Sequence, residues 1–228
     1  MELPVISERE DNCRFIAYIA GALARPAGGN MRISFGGGRV SLSSCGEGLR
    51  PLAEEKIAEV LCIGYKYAEL ASVAPAGLGA GDTEILRAAI IAADFAEDKR
   101  YVLSRLRGAR EYPIDGFFTF RLKDLREKWK GVAACVPPVF TRGQLSEFME
   151  FLLGTVRGKI FLKGNGVYDS RCRRLRRSAL IGGGDAELDT LREIVLSCAG
   201  KVECLGAITA GEEDFLRRYY AGRVGFRG

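Results

Sequence analysis

The sequence predicts an α+β fold in which amphipathic helices pack on small antiparallel β-hairpins or sheets, divided into two subdomains. Three observations predict it. Apolar residues recur at helical spacing through several long segments, short alternating runs are joined by glycine turns, and no segment repeats at a fixed period as a solenoid would require. With 228 residues, 47% of them hydrophobic, the chain has enough apolar surface to offset the entropy of folding.

The elements follow in order. Cys13, Ile16, Ile19, Ala20 and Leu23 share one helical face, with Asp11 or Asn12 as a cap and Pro26 marking the end. MRISF and RVSLSS alternate around Gly36, Gly37 and Gly38, the pattern of a hairpin. From Leu49 to Leu70 a stripe through Leu52, Ile57, Val60, Leu61 and Ile63 predicts a long helix, bent near Gly64. VAPAGLGAGD then has the composition of a linker. This sets a boundary between a helix/hairpin/helix subdomain, residues 1–80, and residues 81–228, a helical region followed by a basic α+β subdomain.

In the second part, Ile85, Ala89, Ala92, Phe95, Tyr101, Val102 and Leu106 predict a helix that Gly108 and Pro113 stop. Asp115 is a cap for a further helix carrying Phe117, Phe118, Phe120, Leu122, Leu125 and Trp129, which ends before Pro137 and Pro138. Leu145, Phe148, Met149 and Leu152 mark another helix. KIFLKG and VYD flank Asn165-Gly166 as a hairpin, and AELDTLREIVLSCAG is a helix with Leu188, Leu191, Ile194, Val195 and Cys198 inward. KVECLG is a strand returning beside that hairpin, and a short helix carries Phe215, Leu216 and Tyr219.

Composition excludes several chemistries. There is no histidine, so the Ser-His and Cys-His routes to an activated nucleophile and imidazole metal ligation are closed. The seven cysteines are scattered without a CxxC pair, and their odd number speaks against a complete disulfide framework; reduced thiols acting as small core residues are the expectation. No apolar run is long enough to cross a bilayer, and MELPVISERED lacks the order of a secretory signal, so a cytoplasmic protein is expected. No cofactor or metal is implied, and no catalytic residues emerge, which favours interaction over catalysis.

Charge is unevenly spread. Residues 1–116 carry 14 Lys/Arg against 16 Asp/Glu, and residues 117–228 carry 20 against 13, giving nets of −2 and +7. The sharpest feature is RCRRLRR, five arginines within seven positions: Arg171, Arg173, Arg174, Arg176 and Arg177. Arg217 and Arg218 add to them. Guanidinium groups bind phosphate bidentately and gain affinity from counterion release, so these seven arginines are candidate ligands for nucleic acid or another polyanion, an anionic membrane surface included. A solvated basic face, or partners for the chain's own carboxylates, is the alternative.

Other motifs point to structure. None of the glycine clusters matches a phosphate-loop or dinucleotide fingerprint; Gly182–Gly184, before a helix, comes nearest, with Asp185 standing where an anion would go. The aromatic set Phe117, Phe118, Phe120 and Trp129 suits core packing better than base stacking, because basic residues interleave it as a polar helix face.

YPIDGFFTFRLKDL, Tyr112 to Leu125, resembles a segment of the YtxC-like family of sporulation proteins of endospore-forming bacteria. The similarity continues through LSEFMEFLL, KIFLKGNGVYD and LDTLREIVLSCAGKVECLG, covering roughly Leu103 to Gly206. The arginine run and the tail after Gly206 depart from the pattern. The resemblance implies a cytoplasmic, sporulation-associated protein of unestablished molecular activity, and it supplies no catalytic residues; together with the missing catalytic constellation it favours action through an unknown protein partner, and the arginine cluster makes a nucleic-acid-binding regulator the alternative. FIAYIAGALARPAGGNMRISFGGGRVSLSS is also similar in its order of helix, glycine and hairpin to LAGLIDADG-type domains, including the WhiA regulators. Homing nucleases of that type place an acidic metal ligand at the helix end, where this chain has Ala24 and Arg25, so the likeness speaks against nuclease chemistry and leaves a DNA-binding relic as what it could imply.

Overall fold

The computed structural model describes residues 3–46, 48–164 and 166–227. The fold is α+β, and the chain forms two compact units: Met1–Glu69 with Phe95–Lys130, and Leu70–Asp94 with Gly131–Gly228.

The first unit begins with β1 (Ile6–Arg9), α1 (Cys13–Leu23), β2 (Met31–Gly36) and β3 (Arg39–Ser44). Gly37 and Gly38, with φ of 60° and 72°, make the two-residue loop between β2 and β3; positive φ at both positions is what a tight hairpin loop demands. Next come α2 (Leu49–Glu59), a π-helical stretch over Val60–Tyr65 that includes Gly64, and α3 (Lys66–Glu69). The 27-residue α4 (Ala80–Leu106) gives its second half to this unit. It leads to β4 (Tyr112–Pro113), α5 (Ile114–Gly116), a second π-helical stretch over Phe117–Arg121 and α6 (Lys123–Cys135). The predicted helix from Asp115 is therefore broken at Leu122, and Asp115 is spent on a bidentate pair with Arg39 instead of a cap. The sheet order is β2-β3-β1-β4.

Phe117 and Phe118 are buried and Trp129 is wholly so, whereas Phe120 is 73% exposed, so the aromatic run is core with one member turned out.

The second unit holds α7 (Arg142–Thr155), β5 (Lys159–Lys163), β6 (Gly166–Tyr168), a 3-10 turn over Arg177–Leu180, α8 (Ala186–Leu196), β7 (Lys201–Leu205), α9 (Ala210–Tyr219) and β8 (Val224–Arg227). Capping boxes start α7 (Thr141 with Gln144) and α9 (Thr209 with Glu212), each satisfying two backbone N–H groups at the helix start. The sheet order is β6-β5-β7-β8. Of the predicted hairpin turn, Asn165 lies outside the described residues; Lys163 pairs with Gly166 as an antiparallel hairpin requires.

Both sheets are mixed, not antiparallel as expected. β1 pairs β4 in parallel, as β5 pairs β7 and β7 pairs β8. In the second sheet the connections explain it: α9 is a crossover helix that delivers β8 in the same direction as β7, and the β6 hairpin arm followed by α8 together form the crossover that brings β7 back parallel to β5. On one face of this sheet Ile160, Leu162, Val202 and Cys204 are at most 3% exposed. Burying side chains of this size stabilises by about 1.5–3 kcal/mol each.

The cysteines correct the expectation of buried thiols. Cys62 and Cys204 are buried, Cys198 is half-buried, and Cys13, Cys45, Cys135 and Cys172 are exposed, because their positions fall at helix ends and in loops. Among the described residues no helix is long and apolar enough to cross a membrane.

Candidate functional site

The second sheet has one face under helices and one face open. Strand periodicity assigns the residues: in KIFLK, Ile160 and Leu162 point to the core while Lys159, Phe161 and Lys163 point away. The register carries this alternation across the sheet, setting Phe161 opposite Tyr168 and Glu203, and Lys159 opposite Lys201. Glu203 in turn lies opposite Gly225, and Leu205 opposite Arg227. The open face thus carries Lys159, Lys163, Lys201 and Arg227 against one carboxylate, Glu203. Lys159 Nζ contacts Glu203 Oε1 and Arg227 Nη2 lies 3.5 Å from Oε2. The Lys159 ammonium holds the Glu203 carboxyl below the usual carboxylate range.

The amino-terminal ends of β5, β7 and β8 form a depression of about 470 Å³ lined by the end of α7 at Leu153, Gly154 and Val156, by Gly158 and Gly200, and by the basic residues Arg157, Lys159, Lys201 and Arg223. Glycine is required at both places. Gly158 has φ of +113°, and a Cβ on Gly200 would come within 2.9 Å of the Val156 carbonyl oxygen. Arg223 Nη1 donates to the Leu153 carbonyl in the last turn of α7 at 3.1 Å, which orients the guanidinium. Arg157 and Lys201 are exposed and form no ion pair with a described residue.

Because β6 runs antiparallel to β5, the chain leaving Tyr168 arrives at this same sheet end, and there it makes the arginine turn. Asp169 organises that turn. Its Oδ1 accepts the N–H groups of Arg171 and Arg173, both at 2.9 Å, and its Oδ2 accepts from the Arg173 guanidinium at 2.8 Å. These contacts hold its carboxyl below the ordinary value. Arg174 closes a bridge to Tyr168. Arg171, Arg173, Arg174 and Arg176 are exposed.

The remaining candidates are placed elsewhere. Arg177 is half-buried, donating to the Leu196 carbonyl at 2.7 Å beside Glu193, whose Oε2 accepts the Ser178 N–H. Arg217 and Arg218 lie on α9, on the helix-covered face, where each is paired one turn back, with Glu213 and Asp214 respectively, at 2.6 Å. The Arg217 guanidinium also lies 5.1 Å from the Phe226 ring centroid. Gly182–Gly184 leads into α8, whose N-cap Asp185 accepts the Leu188 N–H at 2.8 Å; the helix start is occupied by the chain's own carboxylate.

The structure therefore brings Arg171, Arg173 and Arg174 to one sheet end with Arg157, Lys159, Lys201 and Arg223. Lys201 and Arg223 are not among the sequence candidates. They stand far from the arginine run in the chain, and only the β5–β7–β8 pairing makes them its neighbours. Among the described residues no group of His, Cys, Asp and Glu is arranged to hold a metal ion. Neither models of protein families, nor curated proteins, nor solved structures provide a match to this chain.

Proposed function

We propose that the second unit binds nucleic acid through its phosphates, at the basic end of the β6-β5-β7-β8 sheet. The observation that carries the reading is the convergence of Arg157, Lys159, Lys201 and Arg223 on one open depression, with Arg157 and Lys201 forming no ion pair with a described residue. Lys159 and Lys201 stand directly opposite in the register, and like charges so placed destabilise a sheet. A bound anion removes that cost. Four strands span about 14 Å at roughly 4.8 Å per step, room for a few consecutive phosphates along the row from Arg171 to Arg223. A concave basic row suits a phosphodiester chain better than a planar bilayer does.

In this reading the protein works by interaction. The resemblance of Leu103 to Gly206 to YtxC-like proteins adds the expectation of a role in endospore formation in the cytoplasm; normal spore yield from a strain lacking the gene would remove that part. Phosphate binding is tested by fluorescence anisotropy with a labelled oligonucleotide across salt. Neutralising three phosphates predicts a loss of about 20- to 40-fold between about 50 and 200 mM salt. Absent or salt-independent binding overturns the proposal.

A further inference from the structure

The open face offers more than charge. Phe161 and Tyr168 are a cross-strand pair on it, and both rings are half-exposed. Tyr168 shares its face with Gly166 two residues earlier. A Cβ built on Gly166 would meet Tyr168 Cε2 at 2.9 Å and Oη at 3.0 Å, so the Tyr168 ring folds back over the glycine backbone. A ring seated on a strand in this way turns one π-face to the sheet and presents the other outward. The Lys159 ammonium lies 5.0 Å from the Phe161 centroid, and beyond the rings stand Lys163 on one strand and Leu205, 36% exposed, on another.

Half-exposed aromatic rings on an uncovered sheet face, with cations at the ends of the same strands, are the two components that single-strand binding needs. Every base has a π-face for a ring, and every linkage has a charge for a cation. A duplex keeps its bases stacked on one another and could use only the cations. We infer that the ligand of this face is a single-stranded nucleic acid, its phosphates along Arg157, Lys159, Lys201 and Arg223 and two of its bases on Phe161 and Tyr168. This rests on the phosphate-binding reading above and names its substrate class. Lys159, which stands between the Phe161 ring and Glu203, exchanges its carboxylate contact for a strand phosphate as a base takes the ring face.

The test uses the full chain and two probes, a labelled 12-nucleotide single strand of mixed sequence and the same strand annealed to its complement, compared at one low salt concentration. The single strand is expected to bind about tenfold tighter or more, and Phe161→Ala and Tyr168→Ala should each weaken it about tenfold, the scale of one lost base stack. Duplex affinity and the salt slope should stay unchanged. Phe161→Tyr and Tyr168→Phe keep a ring and should bind as the parent does. Because Phe161→Ala could also loosen the strand, Phe161→Leu, which keeps apolar bulk without a π-face, must show the same loss with an unaltered circular dichroism spectrum. Equal affinity for both probes, or ring variants that bind as the parent, overturns the single-strand inference while salt-dependent binding leaves the phosphate reading standing. If neither probe binds at low salt, both fall together.

Discussion

Lys66 Nζ lies 2.8 Å from Asp98 Oδ2, and neither side chain is more than 1% exposed. Asp98 also accepts from Trp129 Nε1 at 2.8 Å and from Lys128 Nζ at 3.0 Å, so the buried carboxylate serves three donors from two other helices. Lys66 follows directly on the π-helical stretch, and the pair fixes that end of it against α4.

Breaking this pair should cost more than its net worth, because the partner left behind is a buried, uncompensated charge. Lys66→Met is expected to destabilise by about 3–5 kcal/mol in urea unfolding. Lys66→Met combined with Asp98→Leu should recover part of that loss; a double variant less stable than Lys66→Met alone contradicts the explanation.

Glu193 gives a pH dependence of opposite sign to an ordinary surface carboxylate. Burial pushes its pKa above the usual 4.5, against the Ser178 and Arg177 N–H groups that lower it. The folded state therefore holds this proton more tightly than the unfolded chain. Its contribution to stability is fully present below the unfolded pKa and is lost as pH rises through the folded one. Glu193→Gln, which keeps an acceptor for the Ser178 N–H, should gain on the parent between pH 4.5 and neutrality in melting curves. A pH-independent difference would show that the carboxylate is not destabilised by burial.

The two carboxylates at the basic face should respond in opposite directions. Glu203→Gln removes a negative charge from the strands of the open face and releases Lys159 and Arg227, so nucleic-acid affinity should rise about threefold or more at low salt. Asp169→Ala also removes a negative charge, yet it deprives the arginine turn of the acceptor for two backbone N–H groups and Arg173, so affinity should fall. A rise in both would mean that net charge alone governs binding.

Much of the fold is legible in the sequence where periodicity is strong. The helices from Arg142 and Ala186 and the β5–β6 hairpin follow from 3.6- and 2-residue patterns. β1 and β8 are not legible, because ISER and VGFR are short and polar or glycine-bearing, and their pairing with β3 and β7 supplies what propensity does not. The π-helical stretches carry no local signal. At the site, the arginine run is conspicuous, but which arginines are committed depends on Asp169, the Leu196 carbonyl and Glu213, partners that only folding brings within reach.

The central claim is that phosphates are met at the sheet end and not on α9. The direct measurement compares two double variants by the slope of log affinity against log salt with one labelled single strand. Arg157→Gln/Lys201→Gln should weaken binding and flatten the slope by about 1.5, as expected when two fewer phosphates of a single strand are neutralised. Arg217→Gln/Arg218→Gln, whose guanidinium groups are already matched by Glu213 and Asp214, should leave slope and affinity close to the parent's. The opposite ranking, or an unchanged slope in the first variant, would contradict the assignment.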